Sequence, residues 1–250
     1  MRAICPKCNS THIQKKGVVY SKGFECNVQR YKCVGCCKQF QVPRDSPKVD
    51  LPKILLFDIE TAPMEVYVWG LYKQFIPHTN IIKDSDGEEK SWYVLSWAAK
   101  WLYDENVVSD IVTPEETKKR DDKRVLESIW KLLDEADIVI GHNGDRFDLR
   151  KLNARFIDNN IKPPSPFRTI DTLKVARREF AFVSYKQDYL TKHFKLEQKL
   201  STNFQLWVDC IHGDQEQLDT MEEYNRHDVM GLEEVYLKLR PYIKNHPNLG

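Results

Sequence analysis

The stretch ILLFDIETAP, residues 54–63, constrains this chain more than any other, because it places two acids at the end of an apolar run. Four apolar residues precede Asp58, and Ile59 separates it from Glu60. This pattern is typical of a buried β-strand that breaks from Thr61 onward. Side chains alternate along a strand, so both carboxylates lie on one face, where their like charges repel and resist desolvation. The stretch therefore predicts a positively charged partner, and a metal ion is the natural candidate.

Charge is unevenly distributed along the 250 residues. Residues 1–50 contain ten basic and three acidic side chains, although the whole chain carries a net charge of +1. A basic head on a mildly acidic body predicts a nucleic-acid contact near the N-terminus. The length accommodates one ordinary domain and a small additional module.

The sequence contains no pattern typical of secretion or membrane insertion. The first twenty residues lack the apolar core of a signal peptide, and no run approaches the ~18 apolar residues of a membrane span. Six of the seven cysteines fall within the first 37 residues, unlike the spacing of a secreted disulfide scaffold. We therefore expect a cytoplasmic protein without a membrane partner.

Two C-x-x-C pairs, separated by 24 residues, stand near the N-terminus: Cys5, Cys8, Cys33 and Cys36. This spacing lets four thiolates surround one zinc ion tetrahedrally, and a closed set of four protein ligands makes such a site structural rather than catalytic. Two further thiols, Cys26 and Cys37, are either idle or substitute ligands.

The segment GFECNVQRYKCVGCCKQF resembles the zinc ribbons of transposase-like and other DNA-associated proteins. Six basic side chains of this module are available for phosphate contacts that do not read sequence: Lys15, Lys16, Lys22, Arg30, Lys32 and Lys38. The alternative is a solvated basic surface on a module that braces the protein. We expect a β-rich zinc ribbon over 1–42, a proline-containing linker of restricted flexibility over 43–52 and a second domain over 53–250.

The second domain alternates between strand and helix patterns. Further strands are expected at 91–102, 106–112, 137–140 and 167–171, the first two forming a hairpin that continues strand 54–60. Helices are expected at 115–135, from about 148, at 171–182, at 185–194 and over 218–239.

Further acids fall at the boundaries of these elements. Asp145 and Asp148 follow strand 137–140, and sites of α/β folds lie at the carboxyl ends of strands. Asp148 is either a ligand or a helix cap, because an acid at a helix start is ordinary capping chemistry. In the last helix, Tyr224 and Asp228 are four residues apart and share a face.

Over residues 53–243 the chain resembles the DEDD superfamily of 3′-to-5′ exonucleases. The resemblance lies in the order of its elements, which is the Asp-x-Glu strand, the hairpin, the Asp-bearing helix and the Tyr-x-x-x-Asp helix. Asp58 and Glu60 match the first motif. Asp148, within NGDRFDLRKL, matches the second, and Asp228, within YNRHDV, the third. The resemblance implies an α/β fold of the ribonuclease H-like type, with a mixed sheet flanked by helices.

Two subgroups of that family differ just before the last acid. One has a histidine five residues before it, and the other a tyrosine four residues before it. Glu223 and Tyr224 occupy these positions here, so the chain is similar to the tyrosine subgroup, which includes the proofreading domains of family B polymerases.

The resemblance implies phosphodiester hydrolysis with two Mg²⁺ or Mn²⁺ ions ~4 Å apart, which prefer oxygen ligands and lower the pKa of the attacking water. In the family's terms, Asp58 bridges both ions and Asp148 holds the second. Glu60 and Asp228 complete the site of the nucleophilic water, which Tyr224 orients. Because its unperturbed pKa is ~10, the tyrosine is expected to position the water rather than deprotonate it.

Four further residues are expected to contact the substrate by the same resemblance: Thr61, His142, Asn143 and Phe147. Asn143 is placed to hydrogen-bond a terminal nucleotide. Phe147 either stacks on a base or seats its helix in the core, and core packing is the favoured interpretation. The implied partners are single-stranded DNA or RNA and 3′ ends, together with unidentified replication or repair proteins.

Other functions fit parts of the pattern. Transposases and integrases share the fold and tolerate a zinc ribbon, but they lack the Asp-x-Glu strand and the Tyr-x-x-x-Asp helix. We expect no polymerase domain, since 22 residues follow Asp228. A nucleic-acid-binding protein on an inactive nuclease scaffold fits four retained acids less well, and an endonuclease mode stays open.

Overall fold

A computed structural model describes residues 4–24, 26–43, 52–196 and 202–244 of the chain. The chain divides into two compact units, Met1–Leu51 and Pro52–Gly250. Most of the expected linker, residues 44–51, lies outside the described residues, so its restricted flexibility stays a prediction. None of the described helices combines the length and the apolar composition of a membrane span.

The described part of the first unit is a small antiparallel sheet. Its strands are β1 (Ile13–Ser21), β2 (Cys26–Cys33) and β3 (Gln39–Pro43), paired in that order. Val28, Cys5 and Cys33 are fully buried, and most other side chains of the unit are exposed. A unit of this size with so small a core depends on an additional cross-link, such as a metal ion, for stability.

The second unit is built on a mixed sheet. Its described strands are β4 (Ile54–Thr61), β5 (Val94–Trp101), β6 (Val107–Ile111), β7 (Ile138–Gly141) and β8 (Arg168–Asp171). They pair in the order β6–β5–β4–β7–β8. The β4–β5–β6 part is antiparallel, whereas β7 and β8 run parallel to β4. Pairing of β4 with β7 ends at Leu56 and Ile140, so the carboxyl end of β4 extends beyond that neighbour.

Helices flank this sheet. The described α-helices are α1 (Pro114–Lys119), α2 (Lys123–Glu135), α3 (Asp148–Asp158), α4 (Thr172–Glu179), α5 (Gln187–His193), α6 (Phe204–Ile211) and α7 (Gln215–Leu239). Short 3₁₀ helices occupy His78–Asn80 and Arg240–Tyr242. A mixed sheet flanked by helices, preceded by a small antiparallel sheet, confirms the predicted α/β architecture.

The two faces of β4 enter different hydrophobic clusters, and this decides where its acids lie. One face contributes Leu55, Phe57 and Ile59 to the cluster that also contains residues of α2, α3 and α6. The other face packs against α7, in a cluster that includes Ile54, Leu56, Val229, Leu232 and Tyr236. Because side chains alternate along a strand, Asp58 and Glu60 continue the face that is directed toward α7.

The single helix predicted over residues 115–135 is wrong, because the chain turns at Arg120 between α1 and α2. Arg120 has a φ angle of +52°, in the left-handed region. Its guanidinium donates hydrogen bonds to the Ser91 carbonyl at 2.7 Å and to the Glu65 carboxylate at 2.5 Å. Contacts distant in sequence therefore end α1 where the local apolar pattern continues.

Two further differences from the predicted elements lie beside the acids. Thr61 belongs to β4 instead of breaking it, and the pairing with β5 shifts in a bulge between Glu60 and Thr61. The helix α6 was not predicted, although Asn203 caps it through a hydrogen bond from the Gln205 N–H to its side chain.

Candidate active site

Three of the four predicted metal ligands converge where β4 ends. Asp58 and Glu60 project from β4 and Asp228 from α7, and one carboxylate oxygen of each lies within 4.8 Å of the other two. The apolar part of α7 packs along β4, and this contact brings Asp228 to the carboxyl end of the strand. Carboxylates this close repel each other, so the arrangement suits a divalent cation between them.

Two uncharged donors hold the acids of β4. Asn225 Nδ2 donates a hydrogen bond to Asp58 Oδ2 at 2.7 Å, and Ser96 Oγ donates to Asn225 Oδ1 at 3.1 Å. Trp207 Nε1, on α6, donates to Glu60 Oε2 at 3.1 Å. Ser96 and Asn225 are fully buried, which fixes the geometry of this network. These donors orient the carboxylates without supplying positive charge.

The fourth predicted ligand, Asp148, lies beside this cluster but outside the group of three, among the residues that the structure describes. Its side chain is 2% exposed and accepts a hydrogen bond at 3.2 Å from the backbone N–H of Ile59, between the two acids of β4. Phe147, and not Asp148, is the N-cap of α3. Burial raises the pKa of Asp148 to about 7 against the effect of the Ile59 hydrogen bond, and the charge of Asp171 adds to the rise.

Tyr224 lies one helical turn before Asp228 on α7. Its ring is nearly buried and packs edge-on against Trp207, with ring centroids 5.9 Å apart. Trp207 in turn contacts Glu60, so the tyrosine is joined to the acid cluster through one intervening side chain. Glu223, where the other subgroup has its histidine, has a side chain that is 69% exposed. Of the two positions that separate the subgroups, the one held by tyrosine faces the interior.

The loop after β7 carries two of the predicted substrate contacts. Asn143 has a φ angle of +68°, and its backbone N–H donates to Asp171 Oδ1 at 3.0 Å. The two ring nitrogens of His142 lie 2.9 Å from Thr172 Oγ1 and 2.9 Å from the Tyr185 carbonyl oxygen. Both residues thus support the loop, and their contacts with a substrate stay predictions.

A cleft of about 530 Å³ opens beside Glu60. Its lining includes Thr61, Trp92, Phe147, Lys151, Phe204 and Trp207. The interpretation of Phe147 as a core residue is wrong, because Phe147 is 39% exposed and lines the cleft. Lys151 Nζ lies 3.8 Å from the centroid of the Trp92 ring and 5.3 Å from that of Phe147, so a cation stands among aromatic rings. The volume is in the range of small-ligand sites, ~300–1,000 Å³.

A second group of ligand atoms lies in the N-terminal unit. One Sγ atom from each of four cysteines lies within 4.8 Å of the others: Cys5, Cys8, Cys33 and Cys36. The Cys5–Cys36 and Cys8–Cys33 sulfur pairs are each 3.5 Å apart. A tetrahedral zinc ion with ~2.3 Å bonds separates its sulfurs by ~3.8 Å, whereas a disulfide brings them to ~2.05 Å. The four thiols therefore fit a zinc ion.

The two surplus thiols lie outside this group of four. Cys26 begins β2, and Cys37 is exposed with a φ angle of +57°, in the region that favours glycine. Among the described residues, neither replaces one of the four predicted zinc ligands in the cluster.

Asn225 and Trp207 were not predicted as site residues. Asn225 lies three residues before Asp228, and this helical spacing was a usable signal that the two share a face. Trp207 is separated from Glu60 by 147 positions and lies on the helix that was itself missed. Its role was therefore beyond local patterns.

Comparison with known proteins supports the fold. A family model for the RNase H superfamily matches residues 87–240, a segment that includes Asp148, Tyr224 and Asp228 and begins after β4. The structure is similar to that of the family B DNA polymerase from the hyperthermophilic archaeon Pyrobaculum calidifontis, with a TM-score of 0.53 and 18% sequence identity. That similarity covers 76% of this chain and 25% of the polymerase chain, so the chain spans about a quarter of the polymerase's length. No curated protein matches the chain.

The predicted ribonuclease H-like fold is thereby confirmed. The matched segment contains four of the five strands of the mixed sheet, all except β4, and it includes the helix that carries Asp228. Because the family model covers more than half of the residues, this chain belongs to the RNase H superfamily.

Proposed function

We propose that this protein is a metal-dependent 3′-to-5′ exonuclease of the tyrosine subgroup, acting on single-stranded nucleic acid or on 3′ ends. The observation that carries the proposal is the convergence of Asp58, Glu60 and Asp228 beside an aromatic cleft. Nucleases of this superfamily use divalent metals, and the order of the acids along the chain is that of the DEDD family.

The residues present fit hard divalent cations. Three carboxylates offer oxygen ligands within 4.8 Å of one another, and Asp228 is nearly buried, so ionising all three without a cation is costly. Asp58, Glu60 and Asp228 would hold Mg²⁺ or Mn²⁺, with Asp148 beside them for a second ion. When bound, such ions lower the pKa of an attacking water and stabilise the leaving oxygen.

The chain's own residues position the reacting groups. Asn225 holds Asp58, and Trp207 holds Glu60 while its ring packs on Tyr224. Tyr224 would orient the attacking water through its hydroxyl. Phe147 would stack on the terminal base within the cleft beside Glu60, and Asn143 would hydrogen-bond the same nucleotide.

The N-terminal unit would carry a structural zinc ion on its four thiols. Five of the six basic side chains predicted to contact phosphates are exposed: Lys15, Lys16, Lys22, Arg30 and Lys38. We propose that this zinc ribbon helps to hold nucleic acid in a cytoplasmic enzyme. Proteins of replication or repair are the candidate partners.

The central experiment uses single-stranded DNA and RNA labelled at the 5′ or the 3′ end, incubated with the protein and Mn²⁺. We expect a progressively shortened ladder from the 5′-labelled strand and immediate release of a labelled mononucleotide from the 3′-labelled strand. Asp58→Asn keeps the shape of the side chain but removes its charge. It should lower the rate by ~10³-fold or more, because metal stabilisation of the transition state contributes several kcal/mol.

Asp86→Asn, an exposed change in the loop before β5, serves as the matched control and should leave the rate unchanged. Equal rates for Asp58→Asn and the unaltered protein would contradict the proposal. If the protein cleaves a circular single strand, and this cleavage depends on Asp58, the activity is instead that of an endonuclease.

A further inference from the structure

An exposed apolar loop follows the acidic strand β4. Within residues 66–80, four large side chains are each more than nine-tenths exposed: Trp69, Leu71, Tyr72 and Phe75. Soluble proteins rarely expose several large apolar side chains together unless the surface contacts something. Neither the acid cluster nor the cleft explains this loop, since none of these four residues lines the cleft.

The base of the loop is held firmly although its tip is exposed. Tyr67 N–H donates to the Asn80 carbonyl at 2.9 Å, and Asn80 Nδ2 donates to the Tyr67 carbonyl at 3.0 Å. Two positions before Tyr67, the Glu65 carboxylate pairs with Lys90 at 2.9 Å and with Arg120 at 2.5 Å. The protein therefore presents the tip from a fixed base, which favours a preformed contact surface.

The composition of the loop selects among contacts. Residues 66–80 contain Lys73 and no aspartate or glutamate, so a polyanion meets no like charge there. Three of the four exposed side chains are aromatic, and aromatic rings stack on any nucleobase because every base has a π-face. A single-stranded nucleic acid matches both properties.

The loop is also continuous with the candidate active site. Pro63 and Met64 line the cleft beside Glu60, and the rings that are more than nine-tenths exposed begin at Trp69. Five residues of extended chain reach at most ~18 Å, so Trp69 lies within that distance of Met64. At ~3.4 Å per stacked nucleotide, this distance corresponds to at most about five nucleotides.

We infer that Trp69, Tyr72 and Phe75 form a stacking platform for single-stranded nucleic acid, which binds the strand a few nucleotides away from the end held in the cleft. The platform reads no sequence, since its contacts are with base faces. This inference rests on the proposed function of the site, because it assumes that a nucleic-acid end occupies the cleft.

The test measures binding separately from hydrolysis. Full-length protein carrying Asp58→Asn is titrated into fluorescein-labelled oligothymidylates of 3 and 20 nucleotides, without added Mg²⁺ or Mn²⁺, and anisotropy is recorded. Replacing Trp69, Tyr72 and Phe75 together by alanine should weaken binding of the 20-mer by about 10-fold or more. Binding of the 3-mer, which the inference places in the cleft alone, should change less than 2-fold.

A matched control replaces three exposed apolar residues on other elements, Ile157, Val183 and Leu237, by alanine, and it should bind both strands normally. Trp69→Phe keeps a stacking ring and should retain most of the affinity. Because the tip is exposed, the triple variant should unfold at the same temperature as the parent. If its unfolding temperature falls by several degrees and 3-mer binding is lost as well, the inference is contradicted.

Three other outcomes would decide against the platform. Unchanged 20-mer binding would overturn it, as would equal weakening for both strand lengths. Loss of self-association in sedimentation, with strand binding intact, would assign the loop to protein contact instead. If the unaltered enzyme degrades no strand, the proposed function fails while the binding comparison still decides on the loop.

Discussion

The four-thiol cluster and the three-carboxylate cluster gather side chains suited to metal binding in opposite ways. The thiols come from two short segments near the N-terminus, and their sulfurs close a tetrahedron around one position. The carboxylates come from a strand and a helix, with Asp58 and Asp228 170 positions apart, and a cleft opens beside them. One site is closed by the protein, and the other leaves room for a substrate.

This difference indicates which of the two sites is needed for folding. The thiols lie in a unit with very few buried apolar side chains, so an ion bound there would supply much of the unit's stability. The carboxylates lie at the edge of a large core built on β4, β5 and β7, with β6 and β8 packed against it, so we expect that unit to fold without an ion. Closed thiolate ligation therefore indicates structure, and open carboxylate ligation indicates chemistry.

The largest effect is expected when zinc binding by the four thiols is abolished. Removing zinc with a chelator, or the change Cys5→Ser, should unfold residues 13–43 while the second unit stays folded, since zinc contributes ~10 kcal/mol or more to such modules. Limited proteolysis of the full chain, read by mass spectrometry, should show new cleavage within 13–43. Cys26→Ser and Cys37→Ser are the controls and should keep one zinc ion per chain. Protection of 13–43 after complete loss of zinc would contradict a structural role.

The next largest effect concerns the pH dependence of stability that arises beside the carboxylates. Burial raises the pKa of Asp148 from 3.8 to about 7, so in the absence of added Mg²⁺ or Mn²⁺ the folded state keeps a proton that the unfolded chain releases. Stability from this group is fully present below pH ~4 and is lost as the pH rises to about 7, by up to about 1.4 kcal/mol per pH unit. Urea unfolding between pH 4 and 8 measures this slope.

Asp148→Asn should flatten the slope, and Asp158→Asn, an exposed change on the same helix, should not. Added Mn²⁺ favours the ionised carboxylate and should reduce the slope of the unaltered protein. Parallel curves for the unaltered protein and Asp148→Asn would show that this carboxyl does not titrate in that range.

Local patterns sufficed for much of the site. The Asp58–Glu60 pair was assigned to one face of a strand, and Asp228 to a helix face, from spacing alone, and both elements are present. Strong periodicity over long segments makes such elements readable. Their meeting was predicted only through the resemblance to a family, because no local signal encodes a contact between positions 170 residues apart.

The predictions that failed did so because contacts between residues distant in sequence decided the structure. Arg120 ends α1 because Ser91 and Glu65 hold its guanidinium, and neither is near in sequence. Phe147 is exposed because it lines a cleft formed by other elements. Asp148 accepts a hydrogen bond from the Ile59 N–H because β4 extends beyond the end of its pairing with β7. Strand patterns in the sequence do not specify this register.

The smallest effect concerns a residue that joins the core to the carboxylates. Asn225→Ala removes the hydrogen bond to Asp58 and leaves the Ser96 hydroxyl without its partner, so the Asp58 carboxylate loses its fixed orientation. Changes of this kind next to metal ligands typically cost 10–100-fold in metal affinity or activity. The Mn²⁺ concentration for half-maximal hydrolysis should therefore rise by about that factor, whereas Asn153→Ala, an exposed change on α3, should leave it unchanged. A lower maximal rate with an unaltered Mn²⁺ midpoint would mean that Asn225 supports the core and not the metal site, and the contrast between the two clusters would then stop at their ligands.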